Sequence, residues 1–334
     1  MSQERSITVQ IDDRVRLLAA ILSQTDWPQR EQAAKPHGVH THAKATQRFL
    51  ADYAGHEAVL AARGLLNTGR APEQLLGFAA YLNWPGLRAP GDLPEWVPDR
   101  WAAQIRDFFR ASRLQDFWNA EKPVWEQAAK EAEDVFPAGL DVLSLLGEFF
   151  GQRSERLVFQ PNLCYPTDRA FGFRRDNELV CVAPPPIAWG DNPPWPYDDD
   201  PSWAYATAFG VYARTFLKEY VDAHPNEAAL ARGGSLPVPE DFRKQHPDWF
   251  NQFALIFIGG ATAIFLARTL GKAEADSFIL MEHKAHSFTT LPSAVSVLET
   301  YLSDHKAGRF REFAEFLPMF RESLHISERL SKQD

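Results

Sequence analysis

The chain has 334 residues, 44 of them acidic and 35 basic, for a formal net charge of −9 and a pI near 5.6. Such a length can bury a large core, and no linker interrupts it, so one domain spanning 1–334 is expected. No overall basic field is present to draw phosphate backbones, which excludes nucleic acid as an expected partner.

The opening MSQERSITVQIDD is charged and then alternating, without the apolar core of a signal peptide. Ile7–Ile11 alternates as a half-buried strand does, and Arg14–Leu22 changes to helical periodicity. The segment Lys35–His42 is a loop running into a helix near Ala43–Tyr53. His56–Gly69 has leucines at helical spacing and a glycine suited to a left-handed C-terminal cap. Pro72–Leu82 begins with a proline where a first helical turn accepts one. Asp99–Arg113 and Leu114–Ala132 carry Trp, Phe and Ile on one face, and Gly139–Phe150 is a short buried helix.

Short β-rich runs follow at Arg156–Leu163, Arg169–Arg174 and Glu178–Pro184, with a turn at Arg175–Asn177. Cys164 and Cys181 flank this hairpin. Their spacing permits a disulfide, but two cysteines in so long a chain are read as reduced thiols in a cytosolic protein. Ala183–Trp203 holds seven prolines and cannot be helix, so it is an ordered loop packed by its own aromatics. Helices resume at Trp203–Tyr220, Asp248–Leu270, Lys272–His283, Leu291–His305 and Phe310–Leu324. The most apolar stretch, Phe253–Ala267, is shorter than the roughly 20 residues a bilayer requires; it is read as a buried helix whose glycines admit a close neighbour. No membrane is expected. The fold class is α+β, predominantly helical, with a small, mainly antiparallel sheet packed against helices.

Four segments carry a resemblance: HEAVLAARGLL from His56, FFRASRLQDFWNAEKPVWEQAAKEAE from Phe108, LGEFFGQRSERLVFQPNL from Leu146, and LPSAVSVLETYL with FREFAEFLPMF near the end. In this order, over nearly the full length, the chain resembles a bacterial family of unknown function. Typical members carry HEXXH and are regarded as zinc metallopeptidases of the zincin fold. The resemblance implies a zincin-like architecture with a motif helix at Trp203–Tyr220.

In such a helix two histidines and a glutamate face the cleft. Here the matching pentapeptide is TAFGV, so Thr207, Ala208 and Val211 stand where the ligands and general base belong, and the position for a third ligand, near Ile256, is aliphatic. A hydroxyl does not replace imidazole, and a catalytic zinc needs about three protein ligands to lower the pKa of water. Tyr205, Phe209, Tyr212, Phe216 and Tyr220 instead form an apolar stripe suited to a core. No catalytic residue and no cofactor are expected from this helix.

Other chemistries must then be weighed. His37, His40 and His42 are dense enough for a metal, with His56 able to join them, against loop histidines that bond locally or cap a helix. His283 and His286 share a helical face as a weak metal pair or a polar helix end. Asp198, Asp199 and Asp200 could form a carboxylate pair, or Asp200 could cap the helix that follows. Trp189, Trp195, Tyr197, Asp198, Asp199 and Trp203 are the candidate cleft, floored by aromatics that otherwise pack the loop. The expected protein is a non-catalytic pseudo-metallopeptidase binding a peptide, protein or small ligand. The alternative is a hydrolase with a relocated metal site or with carboxylate chemistry.

Overall fold

The computed structural model describes residues 7–164, 169–188, 190–286 and 288–331; Trp189 and the side chain of His286 lie outside the description. The chain forms two compact units, a sheet unit from Ile7–Ala138 and Glu155–Ala204, and a helical unit from Gly139–Ser154 and the residues from Tyr205 onward.

The sheet unit opens with β1 (Ile7–Val9), α1 (Asp13–Leu22), α2 (Trp27–Ala34), α3 (Thr41–Phe49) and a 3₁₀ turn at Ala51–Tyr53. It continues through α4 (Glu57–Asn67), α5 (Pro72–Tyr81), α6 (Trp101–Ala111), α7 (Leu114–Ala120) and α8 (Lys122–Val135), then β2 (Arg156–Pro161), β3 (Phe171–Arg175) and β4 (Glu178–Ala183). Helix α4 stops as its glycine predicts: Gly69 has φ of +86°, Arg70 N donates to Leu65 O at 3.0 Å and Gly69 N to Leu66 O at 3.1 Å. The helix expected over 114–132 is instead two, because the chain breaks at Glu121 and Pro123 starts α8 afresh.

The strands lie in the order β1-β2-β4-β3. β1 runs parallel to β2, with Ile7 opposite Leu157, and β2 parallel to β4, with Phe159 opposite Cys181; only β3 and β4 pair antiparallel. The sheet is therefore mixed rather than mainly antiparallel. Alternation in a sequence reports which side is buried and not the direction of a neighbour, while a parallel partner requires a long crossover, which the helices after β1 supply. Continuous burial from Leu157 to Pro161 and from Leu179 to Ala183 fits strands covered on both faces. On one face Gly77 of α5 meets Phe173, with 3.4 Å left for an added Cβ. On the other, Phe159 packs against Phe136 and Tyr197.

The helical unit comprises α9 (Val142–Phe150), most of α10 (Pro201–Ala223), α11 (Pro225–Ala231), α12 (Glu240–Gln245), α13 (Trp249–Thr269), α14 (Lys272–His286) and α15 (Leu291–Lys306). After α16 (Phe313–Phe316) a 3₁₀ turn at Leu317–Met319, containing Pro318, leads into α17 (Phe320–Ser331). Its core is aromatic. Phe149 touches Phe257, Tyr301 and Phe313 at centroid distances of 5.0, 5.8 and 5.9 Å. Phe150 meets Tyr220 at 5.4 Å and Phe257 at 5.6 Å.

Helix α13 extends the apolar stretch read from the sequence to 21 residues, long and apolar enough to cross a membrane, but 67% of its most apolar window is buried inside the fold. Its two central glycines explain the packing. A Cβ on Gly259 would stand 2.9 Å from Leu291 Cδ1, and one on Gly260 2.9 Å from Leu298 Cδ1 and 3.2 Å from the Ala294 carbonyl carbon. Gly260→Val is therefore expected to destabilise the fold by about 1–3 kcal/mol through overpacking. Gly64→Ala, on the exposed side of α4 with nothing within 4 Å of the new Cβ, should stabilise it by about 1 kcal/mol. Urea unfolding of the two variants checks both signs.

Candidate functional site

Helix α10 carries the residues that the resemblance marks. Tyr205, Phe209, Tyr212, Phe216 and Tyr220 are all buried, and Phe209 stacks on Phe265 of α13 at 4.6 Å. Ala208 is buried, Thr207 and Val211 are half-buried, and Ile256 is fully buried. Gly210 faces Ile258 and Thr262 of α13. The named side chains at these positions are hydrocarbon apart from the hydroxyls of Thr207 and Thr262. Among the described residues no three His, Cys, Asp or Glu side chains gather as a metal site.

The histidines are engaged separately. His37 lies with Nδ1 2.8 Å from Gly38 O and Nε2 2.9 Å from Gln32 Nε2. His40 Nδ1 accepts from His42 N at 3.1 Å, capping α3. His42 is wholly buried, with Nδ1 2.9 Å from Glu121 Oε2 and Nε2 accepting from the Trp125 indole at 2.9 Å. His56 caps α4 and bonds Asp107, apart from the other three. His283 is exposed on α14. Asp198 and Asp199 are exposed, and Asp200 Oδ1 accepts from Trp203 N at 3.1 Å as a cap for α10. Cys164 and Cys181 are free and buried. Burial pushes the Cys164 thiol up to about 12 and the Cys181 thiol higher still, so neither is an activated nucleophile.

What the structure does gather is a cavity of about 400 Å³ around the proline-rich loop. Tyr197 anchors it. Its hydroxyl donates to Ala183 O at 2.8 Å and accepts from Asn162 N at 3.1 Å, while its own N–H donates to Glu131 Oε2 at 3.2 Å. Trp195 N bonds Pro186 O at 2.9 Å. Trp195 and Tyr197 thus line one wall with Pro185, Pro194 and Pro196, and α8 supplies the opposite one through Pro123, Val124, Gln127, Ala128 and Glu131. These spacings of three and four residues place them on one helical stripe. Of the expected cleft residues, Asp198, Asp199 and Trp203 do not line the cavity; Trp203 sits 6.2 Å from the Tyr197 ring.

Residues that the sequence did not assign to the cleft complete the site. His40 stands in the lining, and because its Nδ1 is an acceptor, its proton sits on Nε2. Burial pulls its pKa down, against the upward pull of Glu131 and Glu121, so it is a neutral donor. Gln127 Nε2 donates to Glu131 Oε1 at 2.9 Å. The lining is otherwise apolar, a geometry that holds a hydrophobic body and orients it by a few polar groups.

Beside the cavity, Arg16 of α1 is 8% exposed, and its guanidinium lies 4.2 Å from the ring centroids of both Trp118 and Trp125. Nε and Nη2 have no hydrogen-bond partner. Burial lowers Arg16 to about 10, so it stays a cation held by the two indoles. Only Trp118 and Trp125, seven residues apart on α7 and α8, hinted at such a clamp.

No protein-family model matches the chain, and neither a curated protein nor a solved structure matches it.

Burial, opposed by the Glu121 hydrogen bond and reinforced by Arg16, drops His42 from 6.5 to about 4. A folded-state pKa below the unfolded one means that the unfolded chain binds more protons between these values. The stabilisation is therefore complete above pH 6.5 and lost as pH falls towards 4, on the order of 3 kcal/mol in all. His42→Ala should flatten this dependence and, by orphaning the Trp125 indole, cost about 2–4 kcal/mol at pH 7. Urea titrations at pH 7 and pH 5 check both.

Proposed function

We propose that the protein is a non-catalytic binding protein, a pseudo-metallopeptidase of the zincin-like kind, that takes a small apolar ligand or a peptide segment into the cavity beneath Trp195 and Tyr197. The observation that carries this reading is the cavity itself: about 400 Å³, walled by prolines and a tryptophan, with His40 and Glu131 at hand to orient a ligand. Proline-rich or aromatic peptides suit such a wall, because rigid rings stack on it at little entropic cost. The identities of Thr207, Ala208 and Val211 on α10, none of them an imidazole or a carboxylate, support the non-catalytic half of the proposal. The buried state of α13 and the two free cysteines favour a cytosolic location.

Calorimetric titration with a panel of proline-rich and aromatic peptides tests the proposal. At least one peptide should bind, and Trp195→Ala should weaken it by about tenfold or more, the loss expected for an aromatic anchor. Protein purified without an affinity tag should carry no stoichiometric zinc by elemental mass spectrometry and should leave a fluorogenic peptide mixture intact. Stoichiometric zinc with cleavage would establish the rival hydrolase, and substitution of His37, His40, His42, His283 or of Asp198 and Asp199 would then find its site.

A further inference from the structure

The sheet unit bears a second cavity, of about 280 Å³, along α6. Arg100, Arg106 and Arg110 line it, Arg100 at the start of α6 and Arg106 and Arg110 one turn apart on it. Among the described residues no acid or carbonyl bonds any of these three guanidinia. Three arginines against two acids, Glu57 and Asp107, leave this cavity cationic in a chain of net charge −9, which marks a place for an anion.

The other lining groups narrow the choice. His56 Nδ1 accepts from Ala58 N at 3.2 Å, so its proton lies on Nε2 and is donated to Asp107 Oδ2, also at 3.2 Å. Gln104 Nε2 donates to Glu57 Oε2 at 3.0 Å. This occupies the Gln104 amide nitrogen, while its Oε1 is closed to solvent and so to a ligand. The cavity thus presents cationic donors together with the exposed Asp107 carboxylate. An oxyanion with no proton answers the arginines but faces Asp107 charge to charge. An oxyanion that keeps a proton answers both sets.

We infer that this cavity binds phosphate in a protonated form, as inorganic phosphate or as the monoanion of a phosphate monoester. The volume corresponds to about nine water molecules at ~30 Å³ each, which leaves room for a small esterified group. The arginines hold the unprotonated oxygens, and the P–O–H donates to Asp107. Sulfate, which matches phosphate in shape but carries no proton at neutral pH, is the discriminating probe.

Calorimetric titration of the full chain with inorganic phosphate, sulfate and glycerol 3-phosphate tests the inference, the last probe separating free from esterified phosphate. One phosphate should bind per chain, with sulfate about tenfold weaker or worse, the ratio of one charge-assisted hydrogen bond. Joint replacement Arg106→Ala and Arg110→Ala, at solvent-facing positions, should weaken both anions about tenfold or more. Asp107→Ala should shrink the phosphate preference without lowering sulfate affinity, and circular dichroism should show both variants folded. Absence of saturable phosphate binding, equal affinity for sulfate, or undiminished binding by the folded arginine variant would overturn the inference.

Discussion

One tyrosine holds the cavity of the proline-rich loop together. Tyr197 is buried, and its three hydrogen bonds reach the end of β4, the residue after β2 and helix α8. Burial raises its hydroxyl well above the ordinary tyrosine range, so it remains a donor at every physiological pH. A loop with this density of proline has few backbone donors of its own, and the phenol supplies the fastening that the backbone lacks. The tryptophan wall and the α8 wall stay apart at a fixed gap because both are tied to it.

Helix α10 shows how a position that chemistry would make polar can be turned to packing. The aromatic stripe from Tyr205 to Tyr220 is buried, and Phe209 stacks on Phe265. None of these side chains is charged, so their burial carries only the smaller desolvation cost of the tyrosine hydroxyls. The opposite solution appears in the sheet unit, where Arg16 keeps a charge inside the protein between Trp118 and Trp125. The indole faces share with the Asp13 carboxylate, 3.7 Å from Nη1, the part that water has elsewhere.

The helices were legible because their signals are local. Gly69, Pro72 and Asp200 act within a turn of where they stand, and the apolar period of α10 and α13 extends over many residues. Strand direction was not legible, since β1 and β2 meet parallel only after the chain has passed through the helices between them. The cavity was half legible: the aromatics of its loop were visible as a cluster, but His40 and Glu131 join them from stretches about 150 and 65 residues away. The cationic stripe on α6 was hidden by the acidic total, because net charge sums over a surface and says nothing of one helix face.

The interleaving of the two units bears on how the chain comes off the ribosome. Helix α9 is made between two segments of the sheet unit but belongs to the helical one, where Phe149 and Phe150 pack against Phe257 and Phe313. No single cut leaves both units whole, and the two phenylalanines emerge long before their partners exist. At translation rates of about 5–20 residues per second, Phe313 follows Phe150 by on the order of ten seconds. Through that interval a strongly apolar segment has only nascent neighbours, which makes it the place where a chaperone would first find a hold.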